Sequence, residues 1–144
     1  MKPENEVTME FISRSCNEAF SRAAVGAFIA AMDPTLEELS DIKTAVSEAV
    51  TNCIVHAYPE NPGKILLSCR IFPERKLEIT VRDQGVGITD VKAAREPLFT
   101  TGGAERSGMG FTIMEKFMTS LQVESQPGAG TCVTMTRKLR SISR

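Results

Sequence analysis

Three short motifs carry the side chains in this sequence that could do chemistry. In chain order they are Glu48-Ala-Val-Thr-Asn52, Asp83-Gln-Gly85-Val-Gly87 and Ser107-Gly108-Met109-Gly110. The first lies in a helical hydrophobic pattern, the second follows a predicted strand, and the third precedes a predicted helix. Together they supply a carboxylate, an amide oxygen and a group of backbone amides. Such groups can hold a nucleoside triphosphate with Mg²⁺ and remove a proton from an attacking hydroxyl.

Glu48 and Asn52 are four residues apart, and His56 follows after another four, so the three lie on one side of a helix. This side could simply be a solvated face. However, asparagine is an unfavourable residue in the middle of a helix, which favours a functional interpretation. The Asn52 amide oxygen suits Mg²⁺, and Glu48 could accept the proton of the attacking hydroxyl. A lone histidine at a helix end, such as His56, is more often a packed residue than a catalyst.

Asp83 ends a predicted strand, where its carboxylate could accept a hydrogen bond from the adenine amino group. Gly85 and Gly87 have no Cβ, so we expect their backbone to approach the ring closely. Guanine would present an acceptor to Asp83, so this arrangement favours ATP over GTP. Thr131 is predicted to support Asp83 or the base from a neighbouring strand. A Gly-x-Gly alone is a weak signal, because turns often contain one.

The third motif opens a predicted helix, whose free N–H groups and positive dipole end attract phosphate. Arg106, immediately before Ser107, would add positive charge at the γ-phosphate. A glycine-rich helix start with an incidental arginine is the alternative. The sequence contains neither a Gly-x-x-x-x-Gly-Lys-[Ser/Thr] loop nor the His-Arg-Asp and Asp-Phe-Gly motifs of protein kinases.

The elements that must position these motifs follow from periodicity and capping. A strand is predicted over 7–12, and a helix to about residue 32 whose buried stripe is Phe20, Ala24, Ala27, Phe28 and Ala31. A capping box of Thr35 and Glu38 opens a long helix over 36–56. Hairpins are predicted over 65–71 with 77–82 and over 121–124 with 131–138, and helices over 90–95 and 109–118. This order predicts an α/β two-layer sandwich: a mixed, mostly antiparallel sheet with helices on one face.

Composition predicts one globular domain over residues 1–144. The chain is 42% hydrophobic and 24% charged with a formal net charge of -1, which disfavours a nucleic-acid partner. The apolar stretch 23–32 is too short to cross a membrane, and the N-terminus has no signal-peptide core, so we expect a cytoplasmic protein. The four cysteines are scattered singly, which disfavours a zinc site and predicts small buried residues in a reducing compartment.

The three motifs resemble the N, G1 and G2 boxes of the GHKL superfamily, whose ATP-binding fold is also called the Bergerat fold. Four longer stretches closely resemble the sporulation anti-sigma F kinases: 47–52, 81–87, 97–101 and 106–115. The resemblance implies a dimeric serine kinase that uses ATP with Mg²⁺ and yields ADP. It further implies that the ATP-bound protein holds a sigma factor and phosphorylates a serine of an anti-anti-sigma protein.

The resemblance also implies a role for individual residues. Glu48 matches the catalytic base and Asn52 the magnesium ligand. The implied nucleotide contacts are Asp83, Gly85, Gly87, Thr101, Arg106, Ser107, Gly108, Met109, Gly110 and Thr131, with Arg106 counted as catalytic. Glu18 and Arg22 match positions that contact the protein partners. This chain has Gly102-Gly103 where relatives often carry a lysine.

Other functions fit the same residues. One is a non-catalytic binding module gated by ATP, and another is a stress-response anti-sigma kinase. The ATPase domain of a histidine kinase is disfavoured, because no phosphoacceptor domain precedes residue 1 and His56 lies within the predicted site. A homodimer is expected, because the first strand is short, apolar on one face and predicted at a sheet edge.

Overall fold

The computed structural model describes residues 1–96 and 110–142, and its fold is built on a five-stranded sheet. The strands are β1 (Asn5–Ile12), β2 (Lys64–Phe72), β3 (Lys76–Asp83), β4 (Ser120–Gln126) and β5 (Gly130–Lys138). The helices are α1 (Cys16–Ile29), α2 (Leu36–Asn52), α3 (Val91–Ala94) and α4 (Gly110–Phe117). A 3₁₀ turn over Ala30–Met32 extends α1, and a π-helical turn over Cys53–Ala57 extends α2.

The strand order is β1-β2-β3-β5-β4, and every pairing among the described residues is antiparallel. The predicted fold class is confirmed, without the parallel pairing that a mixed sheet would add. One row of the register runs through Val7, Cys69, Ile79, Met135 and Leu121. Alternate residues of β2 and β3 are buried, because the helices cover one face only.

The core lies between that face and α2, which packs against both α1 and α4. Ile42, Val46 and Val50 of α2 are fully buried, as are Leu67 and Ile79 of the sheet. Burying side chains of this size contributes about 1.5–3 kcal/mol each. The apolar stripe of α2 therefore fixes the helix that carries Glu48 and Asn52.

The predicted start of α2 is confirmed. The Glu38 N–H donates to Thr35 Oγ1 at 3.0 Å, and the Thr35 N–H donates to Glu38 Oε1 at 2.9 Å. This is the reciprocal pairing of a capping box. The helical segment also ends close to the predicted residue 56, at Ala57, but regular α-helix stops at Asn52 and the last turn is π-helical.

The predicted buried stripe of α1 is also wrong. Phe20, Ala27 and Ala31 are exposed, Ala24 and Phe28 are half-buried, and the buried residues are instead Ser21, Val25, Ile29 and Met32. The helix is rotated by about one residue from the prediction, which turns branched side chains to the core in place of alanines. These bury more apolar area than alanine does. The Phe20 ring packs edge-on against Phe11 of β1, with centroids 6.2 Å apart.

The sequence predicts that its most apolar stretch, 23–32, is too short to cross a membrane, and this expectation can be compared with the helices of the structure. None of those in residues 1–96 and 110–142 combines the length and apolar character of a membrane span.

Candidate functional site

A cavity of about 500 Å³ opens between the C-terminal end of α2 and the neighbouring ends of β3 and β5. Its wall includes one or more residues from each of the three sequence motifs: Asn52 from the first, Asp83 and Gly87 from the second, and Gly110 from the third. Thr131 of β5 and His56 of the π-helical turn also line it. Residues far apart in the sequence therefore share one concave site.

Asp83 is the buried charged group of this cavity, with 5% of the residue exposed. Its Oδ1 accepts hydrogen bonds from the N–H groups of Gly85, at 2.9 Å, and Thr131, at 3.2 Å. The Cys53 thiol donates to Oδ2 at 3.4 Å. A carboxylate oxygen can accept about two hydrogen bonds, so Oδ2 retains one position for a ligand in the cavity. This geometry suits a single donor such as an amino group.

The glycines of the second motif are required by contacts between backbone segments. A Cβ on Gly85 would lie 2.1 Å from the Ala57 carbonyl oxygen, and one on Gly87 would lie 2.1 Å from that of Gln126. Gly87 also has a positive φ of 78°. These contacts show that the two glycines let the loop fit between the π-helical turn and the β4–β5 hairpin. Their approach to a purine ring stays a prediction.

Backbone hydrogen bonds hold this loop on both sides. The Val86 N–H donates to the Ala57 carbonyl at 2.9 Å, and the Gly128 N–H donates to the Val86 carbonyl at 2.7 Å. Because the π-helical turn places the Ala57 carbonyl, it sets where the loop after Asp83 runs. π-Helical turns occur frequently at functional sites.

Glu48 and Asn52 meet the start of α4. A Cβ built on Gly110 would lie 3.2 Å from Asn52 Oδ1 and 3.5 Å from Glu48 Oε2. The first residue of α4, which has no side chain of its own, is thus beside the amide and the carboxylate of α2. Asn52 lines the cavity, whereas Glu48 is beside Gly110 but not among the lining residues.

Thr131 contributes through both its backbone and its side chain. Its N–H donates to Asp83, and its hydroxyl lies 2.7 Å from the hydroxyl of Ser125. The Ser125 hydroxyl in turn accepts from the Ile88 N–H at 2.7 Å. The end of the β4–β5 hairpin is thereby joined to the chain that follows the second motif.

Sequence reasoning missed three residues that shape the site: Cys53, Tyr58 and Ser125. Cys53 offers a signal in the sequence, because it follows Asn52 directly, although its residue type alone predicts only a small buried residue. Tyr58 and Ser125 lie in no motif, and their roles arise only from contacts across the fold. The Tyr58 hydroxyl accepts from the Gln84 N–H at 2.7 Å, beside Asp83.

Glu18 and Arg22 are on α1 and are not among the cavity-lining residues. They approach each other one helical turn apart, at 3.8 Å, and are partly exposed. Pairs of this kind contribute little to stability. Five further predicted site residues lie outside the described part of the chain: Thr101, Arg106, Ser107, Gly108 and Met109.

The sequence matches a known family over most of its length. The family model described as "Histidine kinase-like ATPase domain" matches residues 17–137. The anti-sigma F factor of Clostridium novyi is 54% identical over 96% of this chain and 97% of its own length. That of Caldanaerobacter subterraneus subsp. tengcongensis is 54% identical over 95% of this chain and 96% of its own. The chain therefore belongs to the anti-sigma F factor family of histidine kinase-like ATPase domains.

A solved structure shows the same fold at low sequence identity. The RsbU and RsbW domains of a Mycobacterium tuberculosis protein superpose with a TM-score of 0.72 at 18% identity, over 99% of this chain and 34% of that one. At this identity the likeness shows the fold alone.

The thiols of this fold should differ widely in reactivity. Burial, and then the charge of Asp83, raise the pKa of the Cys53 thiol well above its ordinary value, and burial raises the pKa of Cys69 to about 12. Cys16 is exposed and Cys132 is half-buried, so the prediction that every cysteine is buried is wrong for these two. Because the thiolate is the reactive form, we expect iodoacetamide at pH 8 to alkylate Cys16 at least about a hundredfold faster than Cys53 or Cys69.

Peptide mass spectrometry after timed quenching measures these rates, with the protein in denaturant as the control in which all sites react. Comparable rates at Cys16 and Cys53 in the folded protein would contradict the buried Cys53–Asp83 contact.

Proposed function

We propose that this protein is an ATP-dependent protein serine kinase that also sequesters a sigma factor. The ATP-bound form would hold a sporulation sigma factor, and the kinase would phosphorylate a serine of an anti-anti-sigma protein. The observation that carries the proposal is the convergence of Asn52, Asp83 and Gly110 on one cavity. Membership of the anti-sigma F factor family supports the sigma-factor partner.

Asp83 is the proposed adenine contact. Its remaining Oδ2 position would accept a hydrogen bond from the 6-amino group of the base. A 6-oxo purine would present an acceptor to the carboxylate, and a buried pair of acceptors is unfavourable. The site should therefore prefer ATP to GTP.

Asn52 and the start of α4 are proposed to hold the metal and the phosphates. The Asn52 amide oxygen is a hard donor of the type that Mg²⁺ prefers, and it lines the cavity beside Gly110. When bound, Mg²⁺ would offset the negative charge of the phosphates. The N–H groups that begin α4 would add hydrogen-bond donors to the same anion. Thr101, Arg106, Ser107, Gly108 and Met109 are proposed phosphate contacts on the basis of the sequence.

Glu48 is the proposed general base. Its Oε2 is near Gly110, and it could accept the proton of a serine hydroxyl that attacks the γ-phosphoryl group. The bond from the serine oxygen to phosphorus forms as the bond to the ADP oxygen breaks. The products are then phosphoserine and ADP.

Glu48→Gln should lower the rate of phosphoryl transfer by at least about a hundredfold, because general-base catalysis typically contributes 10²–10⁴-fold. The measurement is transfer of labelled phosphate from Mg-ATP to the purified anti-anti-sigma protein. Glu37→Gln is the matched control, since it makes the same change at an exposed position of α2. Full transfer by Glu48→Gln would remove the general-base role.

A non-catalytic module gated by ATP is the second candidate. The observation that favours it is that Glu48 is not among the residues lining the cavity. It predicts nucleotide binding and partner binding without phosphoserine. The same transfer experiment separates the two functions, because intact-mass analysis of the anti-anti-sigma protein would then show no added phosphate.

Sigma-factor binding should be at least about fivefold tighter with ATP than with ADP, the lower end of typical allosteric coupling. The measurement is the affinity for a sporulation sigma factor at saturating nucleotide, by titration calorimetry. Asp83→Asn, which weakens the adenine contact, should lose this dependence at limiting ATP. Tighter binding of a stress-response sigma factor would favour the alternative anti-sigma kinase.

Glu18 and Arg22 are proposed as partner contacts.

A homodimer is also proposed, because β1 is an edge strand and Phe20 beside it is 53% exposed. Light scattering at micromolar concentration should give about twice the 15.7 kDa of one chain. Phe20→Ser should shift the mass towards one chain, because it removes exposed apolar area next to that edge. Leu36→Ser is the control, since Leu36 is exposed at the start of α2. A monomeric parent protein would contradict the proposal.

A further inference from the structure

Tyr58 connects the start of β2 with the residue that follows β3, the strand that ends at Asp83 of the second motif. Its hydroxyl donates to the Lys64 carbonyl at 2.6 Å and accepts from the Gln84 N–H at 2.7 Å. Lys64 begins β2, and Gln84 directly follows Asp83, the last residue of β3. One side chain therefore satisfies two backbone groups at the end of the β2–β3 ladder.

The register shows what this hydroxyl does. At that end of the ladder, the last pair between β2 and β3 is Ile65 with Asp83. One more step would place Lys64 opposite Gln84, and their carbonyl and N–H groups would be available to pair directly. They pair through the Tyr58 hydroxyl instead. The inserted oxygen ends the ladder at Asp83 and separates Gln84 from β2, which frees the chain to turn towards Ala57.

The ring is held in place for this role. A Cβ on Gly63 would lie 2.2 Å from Tyr58 Cε1, so the ring occupies the space that a side chain at residue 63 would need. Gly63 is itself fixed, because its N–H donates to Ser13 Oγ at 2.9 Å and its carbonyl accepts from the Ser13 N–H at 2.8 Å. Burial is the largest factor that raises the pKa of Tyr58, so the hydroxyl keeps its proton at neutral pH and can donate and accept together.

We propose that Tyr58 is a positioning residue for nucleotide recognition: its hydroxyl, inserted between Lys64 and Gln84, sets the location of Asp83 in the cavity. The inference rests on the proposed function, because it assumes that Asp83 accepts the adenine amino group. Without the hydroxyl, Lys64 and Gln84 either pair directly or remain unsatisfied. Direct pairing would draw Gln84, and with it the adjacent Asp83, towards β2, and loss of the partner would remove the hydrogen bond that holds the Gln84 N–H in place.

The test compares two nucleotides that differ only in the amino group. ATP carries this group, whereas purine riboside 5′-triphosphate has hydrogen in its place. Tyr58→Phe should weaken ATP binding about threefold to tenfold, the size expected when one hydrogen bond is lost. The affinity for purine riboside triphosphate should change by less than about twofold, because that ligand never made the bond. Equilibrium dialysis with Mg²⁺ measures both.

Two further variants accompany Tyr58→Phe. Thr80→Val removes a hydroxyl from β3 away from the loop, and it should leave both affinities unchanged. Gly63→Ala would push the ring from its position, and it should lower the preference for ATP as Tyr58→Phe does. It therefore provides the test if Tyr58→Phe does not fold, which thermal unfolding would reveal.

The outcomes distinguish the inference from the function on which it rests. A lower ratio of ATP affinity to purine riboside triphosphate affinity supports the positioning role. An unchanged ratio overturns it, including the case in which both affinities fall equally, because that result indicates only general destabilisation. If the parent protein fails to bind ATP, the proposed function itself is overturned.

Discussion

The burial of the Asp83 carboxylate is the constraint on which the rest of the site depends. An ionised group with 5% exposure is costly unless donors surround it. The donors come from three places: Gly85 in its own loop, Thr131 on β5 and Cys53 after α2. Together these hydrogen bonds offset the cost of burying the carboxylate. The requirement therefore ties the end of the central helix to two neighbouring strands, and the remaining lone pair of Oδ2 is available to a ligand.

Close backbone packing then gives the cavity its shape. Gly85 and Gly87 allow the loop after β3 to approach the Ala57 and Gln126 carbonyls more closely than any side chain would permit. The π-helical turn presents the Ala57 carbonyl to the Val86 N–H, and the Tyr58 hydroxyl ends the ladder just before the loop begins. The apolar core beneath holds α2 against the sheet.

Much of the fold could be predicted from local patterns. The capping box of Thr35 and Glu38, both hairpins and the edge position of β1 are confirmed, because each depends on residues close in sequence or on simple alternation. The buried stripe of α1 could not be predicted in this way, because its alanines and larger apolar residues lie on two neighbouring sides of the helix, and either side could face the core. Packing against α2 and β1 selects the side of the helix that carries Val25 and Ile29. The π-helical form of the last turn after α2 could not be predicted either, because this turn is stabilised by a contact with a distant loop.

By itself, the sequence determined the residue types and the order of the motifs that define a histidine kinase-like ATPase domain, because spacing along a helix and position after a strand are local properties. It also indicated Asn52 and Asp83 as site residues. Only the tertiary structure decided that Asp83 takes its donors from Cys53 and Thr131, and that Tyr58 separates Lys64 from Gln84. The physical reason is that a hydrogen bond between residues 26 to 48 positions apart leaves no periodic signal, and its partners meet only once the sheet has set their register.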